Sequence, residues 1–385
     1  MTLSFKTGMA KAMELTKAGQ LDQATAMIRS LLHAPVQPVE SSTELTGPSG
    51  QVIEGDFTRI DPAAAKPAAN RLKFARTPLS ETLRKIATGG MPVRGPLAES
   101  APSIAAGAQF LALSHSGQHG SRTYRLYVPS AQPTTPMPLI VMLHGCTQSP
   151  EDFALGTGMN ALAEEFGCLI AYPAQTSGDN AQKCWNWFRP EDQGRSRGEP
   201  ALIAALTRDV QRMYPADQSR TYVAGLSAGG AAALIVAAAY PDVFAAAGVH
   251  SGLPAGCARD VASAFAAMRS GADAAPLRAP LPTIVFHGLA DTTVHPGNGT
   301  AILKQALPAM RNLRSNTRQS SVPDGRDYRV TAYSQGDGPA LAEHWQIDGA
   351  GHAWAGGQAG ASYTDPKGPD ASRQMLRFFF QHALP

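Results

Sequence analysis

No apolar stretch of the 385-residue chain reaches the roughly 18 residues that a membrane-spanning helix needs; the most apolar run, Ala231 to Ala239, is far too short. A membrane span is therefore not expected. Charge of one sign is also scarce: 33 Lys and Arg against 30 Asp and Glu leave a net +3, with no dense basic block. Neither nucleic acid nor an anionic membrane surface is then an expected partner. Four cysteines are too few for a disulfide-dense scaffold. They allow three complete pairings. Cys168 opens the apolar run CLIAYP and reads as a core residue, whereas Cys184 and Cys257 fall in loop-like stretches where a bridge between them is feasible. The ten histidines lack compact metal-ligand spacing, so no metal site and no cofactor are expected. The first residues, MTLSFKTGMAKAMELTKAG, lack the apolar run of about 7–15 residues found in signal peptides. A cytoplasmic location is the expectation, with secretion as the alternative.

What the chain does have is glycine and proline in quantity, 37 and 30, which implies many loops. Three regions differ in composition. Residues 1–35 carry Met9, Ala12, Met13 and then Ala24, Ile28, Leu31, Leu32 at helical spacing about a KAGQLD turn, predicting a helical hairpin appendage. Residues 36–106 are rich in Pro, Ala and Gly with little periodicity, predicting an extended, partly disordered linker. In residues 107–385, short apolar runs such as PLIVMLHG, CLIAYP, TYVAGLS and PTIVFHG alternate with helical patterns such as EPALIAALTRDVQRMY. That alternation predicts an α/β domain with a mostly parallel, doubly wound sheet and an antiparallel edge made by the earliest strands.

Within this domain the pentapeptide GLSAG joins the strand TYVAG to the helix AGGAAALIVAAAY. A serine at a sharp strand-to-helix turn exposes its Oγ at the carboxyl edge of the sheet, and the crowded backbone there demands tiny residues two before and two after it. Gly225 and Gly229 meet that demand around Ser227. The helix that starts just behind the serine favours developing negative charge. A serine hydroxyl needs a base to become a nucleophile. Partners in the order Ser–Asp–His are supplied by Asp291, after the strand PTIVFHG, and His352, after HWQIDGAG. Among competitors, His287 reads as a shaper of the Asp291 loop and His250 as a residue that could line the cleft. His295 lies too near Asp291, Asp348 is a turn residue and reserve acid, and Asp324 and Asp327 sit in a polar loop. Two backbone N–H groups are needed to bind a tetrahedral oxygen; Ala228 follows the nucleophile, and Cys146, with Thr147 second, lies in the loop after PLIVMLHG.

The segments LHGCTQ, CWNWF, GLSAGG, HSG and GHAWAGG, in this order, resemble the polyhydroxybutyrate depolymerase-type esterases, α/β-hydrolases related to feruloyl and acetylxylan esterases. The resemblance spans Ser121 to the C-terminus. It implies an α/β-hydrolase fold, Ser227, Asp291 and His352 as the triad, and hydrolysis of esters of hydroxy or aromatic acids. Trp185, Trp187 and Trp354 are the expected substrate-binding side chains, an apolar wall for the acyl group. The expected activity is that of a serine carboxylic-ester hydrolase working through an acyl-enzyme on polyhydroxybutyrate or its oligoesters. A feruloyl, acetylxylan or aromatic-polyester esterase is the alternative within enzymes. A granule- or partner-docking protein with a vestigial hydrolase domain is the alternative outside them. The expected partner is a small ester or polyester, and a homodimer is allowed.

Overall fold

The computed structural model describes residues 101–131, 134–307 and 312–385, together with the backbone of two short antiparallel strands, β1 (Leu45–Thr46) and β2 (Val52–Ile53). The helical hairpin expected at 1–35 and most of the linker expected at 36–106 lie outside the described residues.

The strands of the main sheet are β3 (Gln109–Gly117), β4 (Gly120–Val128), β5 (Met137–Leu143), β6 (Leu169–Pro173), β7 (Ala216–Leu226), β8 (Ala246–His250), β9 (Thr283–Gly288), β10 (Leu313–Ser321), β11 (Asp327–Gln335) and β12 (Ala340–Ile347). They form one ten-stranded sheet in the order β10-β11-β12-β9-β8-β7-β5-β6-β4-β3. The six strands β6, β5, β7, β8, β9 and β12 run parallel, and an antiparallel hairpin closes each margin. This is the α/β-hydrolase arrangement. The strand order reverses between β5 and β7, and in such sheets the crevice outside the carboxyl ends at that reversal is where ligands bind.

Alternation across the pleat divides the apolar residues between two faces. On β5, Leu139, Val141 and Leu143 join one buried cluster while Ile140 and Met142 join the other. Among the described residues seven helices cover the faces: α1 (Pro150–Thr157), α2 (Met159–Phe166), α3 (Gly198–Met213), α4 (Ala228–Ala239), α5 (Val261–Ser270), α6 (Gly297–Ala306) and α7 (Ala371–Phe379). α4 is apolar on every side and is buried nearly throughout, as expected of a helix enclosed by its neighbours. α7 lays Met375, Leu376, Phe378 and Phe379 onto the opposite face, with Phe379 stacked on Tyr222 of β7 at 4.9 Å. The pattern DFALGTGMNALAEEFG is two helices, because Gly158 adopts φ 64° and breaks α1 from α2. Asp370 caps α7, accepting from Arg373 N–H at 2.9 Å. Among the described residues no helix is long and apolar enough to cross a membrane.

One margin departs from expectation. The stretch around Asp324 and Asp327 is not a simple polar loop: Asp324 occupies the turn of the β10–β11 hairpin and Asp327 opens β11. Nearly every side chain of β10 is exposed, so the strand is built from polar residues that carry no alternation.

Candidate active site

Ser227 stands between the last residue of β7 and the first of α4 with φ 58° and ψ −120°, a conformation L-residues rarely adopt and that costs on the order of 1–3 kcal/mol. Two backbone bonds hold it there, Ser227 N–H to His250 O at 2.8 Å and Ala231 N–H to Ser227 O at 3.0 Å. The glycines around it are obligatory. A Cβ on Gly229 would lie 2.0 Å from the carbonyl oxygen of Leu143 and 2.5 Å from that of His144. One on Gly225 would lie 2.4 Å from the backbone of Gly229.

Asp291 and His352 are brought together from the loops after β9 and β12. His352 Nδ1 donates to Asp291 Oδ2 at 2.7 Å, leaving its Nε2 free to face another group. The other carboxylate oxygen, Oδ1, accepts the N–H groups of Thr293 and Val294, each at 2.9 Å. Burial alone would raise the Asp291 carboxyl; the His352 and His287 rings and the hydrogen bonds outweigh it and hold the group well below the usual carboxylate range. His287 is fully buried, with Nε2 2.9 Å from the carbonyl of Val294 and 3.5 Å from Asp291 Oδ2, so it shapes the Asp291 loop.

The loop after β5 carries Cys146 and Thr147. Thr147 N–H is committed to Gln182 O at 2.7 Å, whereas no acceptor for Cys146 N–H is found among the described residues. Ala228 N–H, at the first position of α4, has no partner within its helix, as for any helix start. The Cys146 side chain forms a disulfide with Cys184. A bridge between Cys184 and Cys257 is thereby overturned. Cys184 is brought to the loop after β5 by the Thr147–Gln182 bond, while Cys257 remains a free, partly buried thiol. Cys168 is a fully buried core residue.

His250 does not line a cleft; it is fully buried and ties the Ser227 turn to the segment that follows His352. Its backbone oxygen holds Ser227 N–H, and its Nε2 accepts Ala355 N–H at 2.9 Å, three residues beyond His352. Nε2 is thus the bare nitrogen and Nδ1 carries the proton toward Ser251 Oγ at 3.1 Å. Burial pushes this ring down to about 3, so it stays neutral.

The three tryptophans are not a substrate wall, which corrects their assignment as substrate-binding residues. Trp185, Trp187 and Trp354 are 0, 5 and 1% exposed. Trp185 Nε1 donates to His144 O at 3.1 Å, and Trp187 meets Phe188 edge-on at 5.8 Å. Trp354 lies between Phe153 and His250, its Nε1 donating to Ser372 Oγ at 3.0 Å. Alternation does put Trp185 and Trp187 on a common side, but that side is the core. Sequence reasoning also missed the buried polar residues beside the loop after β5, Gln175, Asn186 and Glu199. The available signal was Asn186, a polar residue between two tryptophans that both turn inward. Among the described residues, no group of three or more His, Cys, Asp or Glu could hold a metal ion.

Residues 122–321, more than half of the chain, match the family described as esterase PHB depolymerase. The chain belongs to that family. It is 33% identical over 294 residues to poly(3-hydroxyalkanoate) depolymerase C of Paucimonas lemoignei, covering 71% of this chain and 70% of that one. To the poly(3-hydroxybutyrate) depolymerase of Ralstonia pickettii it is 28% identical, over 64% of this chain and 55% of the relative. To feruloyl esterase B of Neurospora crassa it is 30% identical, over 66% of this chain and 86% of the relative. An acetyl xylan esterase from Aspergillus awamori shares the fold, with a TM-score of 0.54 at 20% identity over 71% of this chain and 99% of that one. The protein is a carboxylic ester hydrolase, a serine esterase of PHB depolymerase type related to the feruloyl and acetylxylan esterases.

Proposed function

We propose that Ser227, His352 and Asp291 form the catalytic triad of this esterase. Ser227 Oγ attacks the ester carbonyl while His352 Nε2 takes its proton. Asp291 holds the opposite ring nitrogen and stabilises the imidazolium that forms. The tetrahedral oxygen is bound by the N–H groups of Cys146 and Ala228. As it collapses, the alcohol leaves with the proton from His352, and water then attacks the acyl-enzyme with the same histidine as base. The observation that carries this reading is the 2.7 Å bond from His352 to a fully buried Asp291 carboxylate, at the same sheet edge as a serine held at φ 58°. Ser227→Ala tests it: ester turnover is expected to fall by about 10⁴-fold or more with the fold intact, and retained turnover refutes the triad.

Polyhydroxybutyrate or its short 3-hydroxyalkanoate oligoesters are the substrates that the relatives' names favour. A second reading, esters of feruloyl or acetylated sugars, is favoured by the similarity to feruloyl esterase B. A chain-length series of hydroxybutyrate oligomers run beside feruloyl and acetyl sugar esters decides between them, and preference for the sugar esters overturns the first. The Cys146–Cys184 bridge favours an oxidising compartment, hence the secreted alternative over a cytoplasmic location. Alkylation under denaturing, non-reducing conditions of protein taken directly from cells checks this, since two labelled cysteines fit the bridged form and four would contradict it.

A further inference from the structure

Beneath the loop of residues 144–148 runs a chain of buried polar groups that none of these hydrolytic steps uses. Its direction follows from chemistry. Arg122 can only donate, and its Nη1 is 2.6 Å from Gln175 Oε1. The Gln175 amide nitrogen therefore faces the other way, donating to Cys184 O at 3.0 Å and to Glu199 Oε1 at 2.5 Å. From the opposite side, Asn180 Oδ1 accepts the N–H groups of Gln182 and Cys184, so its Nδ2 donates to Asn186 Oδ1 at 3.0 Å. Asn186 must then present its own Nδ2 to Glu199 Oε1, at 2.8 Å, while its N–H reaches Oε2 at 2.7 Å. Both ends of the chain thus converge on Glu199 with donors. That geometry suits a carboxylate best, since an acid accepts more weakly at its hydroxyl oxygen and an amide would turn a donor toward a donor.

The segment so organised grips the oxyanion loop on both sides of Cys146. Cys184 is bonded covalently to Cys146, and Gln182 O accepts Thr147 N–H. Gln175 N–H donates to His144 Nε2 at 3.0 Å, and Trp185 Nε1 donates to His144 O. We propose that the Glu199 carboxylate is a positioning residue for the reaction, setting the Cys146 N–H through the 175–186 segment. This rests on the reading of Cys146 N–H as an oxyanion donor.

The groups around Glu199 make its charge conditional. Burial, and the neighbouring Asp192 that accepts Glu199 N–H at 2.8 Å, push its carboxyl up to about 7 against the hydrogen bonds. Arg122, on β4, reaches it only through Gln175 and is itself paired with Asp179. His144, across Gln175, is kept neutral by burial, which pushes it down to about 4. Acidification near neutrality therefore protonates Glu199, one oxygen becomes a weaker acceptor that carries a hydrogen of its own among donors, and the grip on the loop loosens.

The test is kcat and KM on a soluble ester across about pH 5 to pH 9 for the wild type, Glu199→Gln and Asn186→Ala, with thermal melts alongside. For Glu199→Gln, kcat at alkaline pH is expected to fall about 10–100-fold with KM little changed, because a displaced donor costs transition-state rather than ground-state binding. Its acid limb should also lose one ionisation. Asn186→Ala removes one donor from the carboxylate, so its acid limb should move to higher pH; this variant decides the matter if Glu199→Gln does not fold. A Glu199→Gln profile that superimposes on the wild type, or an unmoved limb in Asn186→Ala, overturns the proposal. Ser227→Ala separates the two levels. Activity retained there refutes the triad itself, whereas an inactive Ser227→Ala beside unaltered Glu199→Gln and Asn186→Ala profiles refutes the positioning role alone.

Discussion

The two flanks of the candidate site are held by opposite means. The serine flank, where β7 meets α4 beside the loop after β5, is built by leaving side chains out. Gly225 and Gly229 let three backbones approach within distances that no Cβ would survive, and a disulfide and a buried amide chain then fasten the loop. The acid–base flank, on the loops after β9 and β12, is built by filling. Asp291 has both oxygens occupied, His287 is buried beside it, and Trp354 packs between Phe153 and His250. A site closed by omission fails when an atom is added, and one closed by satisfaction fails when a partner is removed. His250 serves both, its carbonyl on Ser227 and its ring on Ala355.

The acid–base flank should show the largest losses. If the proposed triad holds, His352→Ala is expected to lower kcat by about 10⁶-fold and Asp291→Asn by about 10⁴-fold. The reason for the second lies in the hydrogen bonds. The N–H groups of Thr293 and Val294 would claim the oxygen of the substituted amide, turning its NH₂ toward His352 Nδ1. That forces the tautomer whose Nε2 carries a proton and cannot accept one from Ser227. Steady-state kinetics on a soluble ester measures both, and Asp291→Asn at near wild-type rate would remove the carboxylate from the triad.

Addition should break the serine flank instead. In Gly229→Ala the new methyl collides with the carbonyls of Leu143 and His144, so the start of α4 and the oxyanion loop must part. If Ala228 N–H and Cys146 N–H are the oxyanion donors proposed above, kcat is expected to fall about 10²–10³-fold, the scale of losing one such donor. A melt with the same ester assay reads it. Full activity in this variant would mean that the close approach is incidental to the chemistry.

The legibility of these flanks from sequence follows from the same contrast. Omission leaves a local mark: G-x-S-x-G at a strand–helix junction needs Gly225 and Gly229 by sterics alone, so Ser227 stands out without knowledge of the rest. Asp291 and His352 were legible by order and by their places after apolar strands. Satisfaction, by contrast, is a long-range property. Nothing near Glu199 indicates that Gln175 and Asn186 will point donors at it, and nothing near Cys184 distinguishes Cys146 from Cys257. The tryptophans misled for the same reason, since alternation predicts that Trp185 and Trp187 share a side but not whether that side faces water. The β10–β11 hairpin was illegible because its edge strand is almost wholly solvated and so has no apolar period.

The disulfide sharpens the comparison at a smaller scale. Cys146 and Cys184 close a loop with a sequence separation of 38, and removing such a cross-link in Cys146→Ser/Cys184→Ser is expected to cost about 3–4 kcal/mol of stability. The loop keeps its other ties, the Thr147–Gln182 bond and the two bonds to His144, so the loss should appear in chemical denaturation more than in kcat. A double variant with wild-type stability would show that those ties suffice.

Trp354 should give the smallest effect and the sharpest test of the corrected role. Trp354→Phe keeps an aromatic ring between Phe153 and His250 and removes the Nε1 bond to Ser372 Oγ, which still donates to Thr157 O at 2.7 Å. A lost neutral hydrogen bond with modest repacking should cost about 1–2 kcal/mol. Because the ring has no face toward solvent, the ranking of esters by kcat/KM should not change, whatever the absolute rate does. A cleft wall would behave otherwise: trimming it would alter acyl-chain preference while leaving the melt nearly untouched. Measured together, stability and ester ranking therefore assign the side chain to the core or to the cleft.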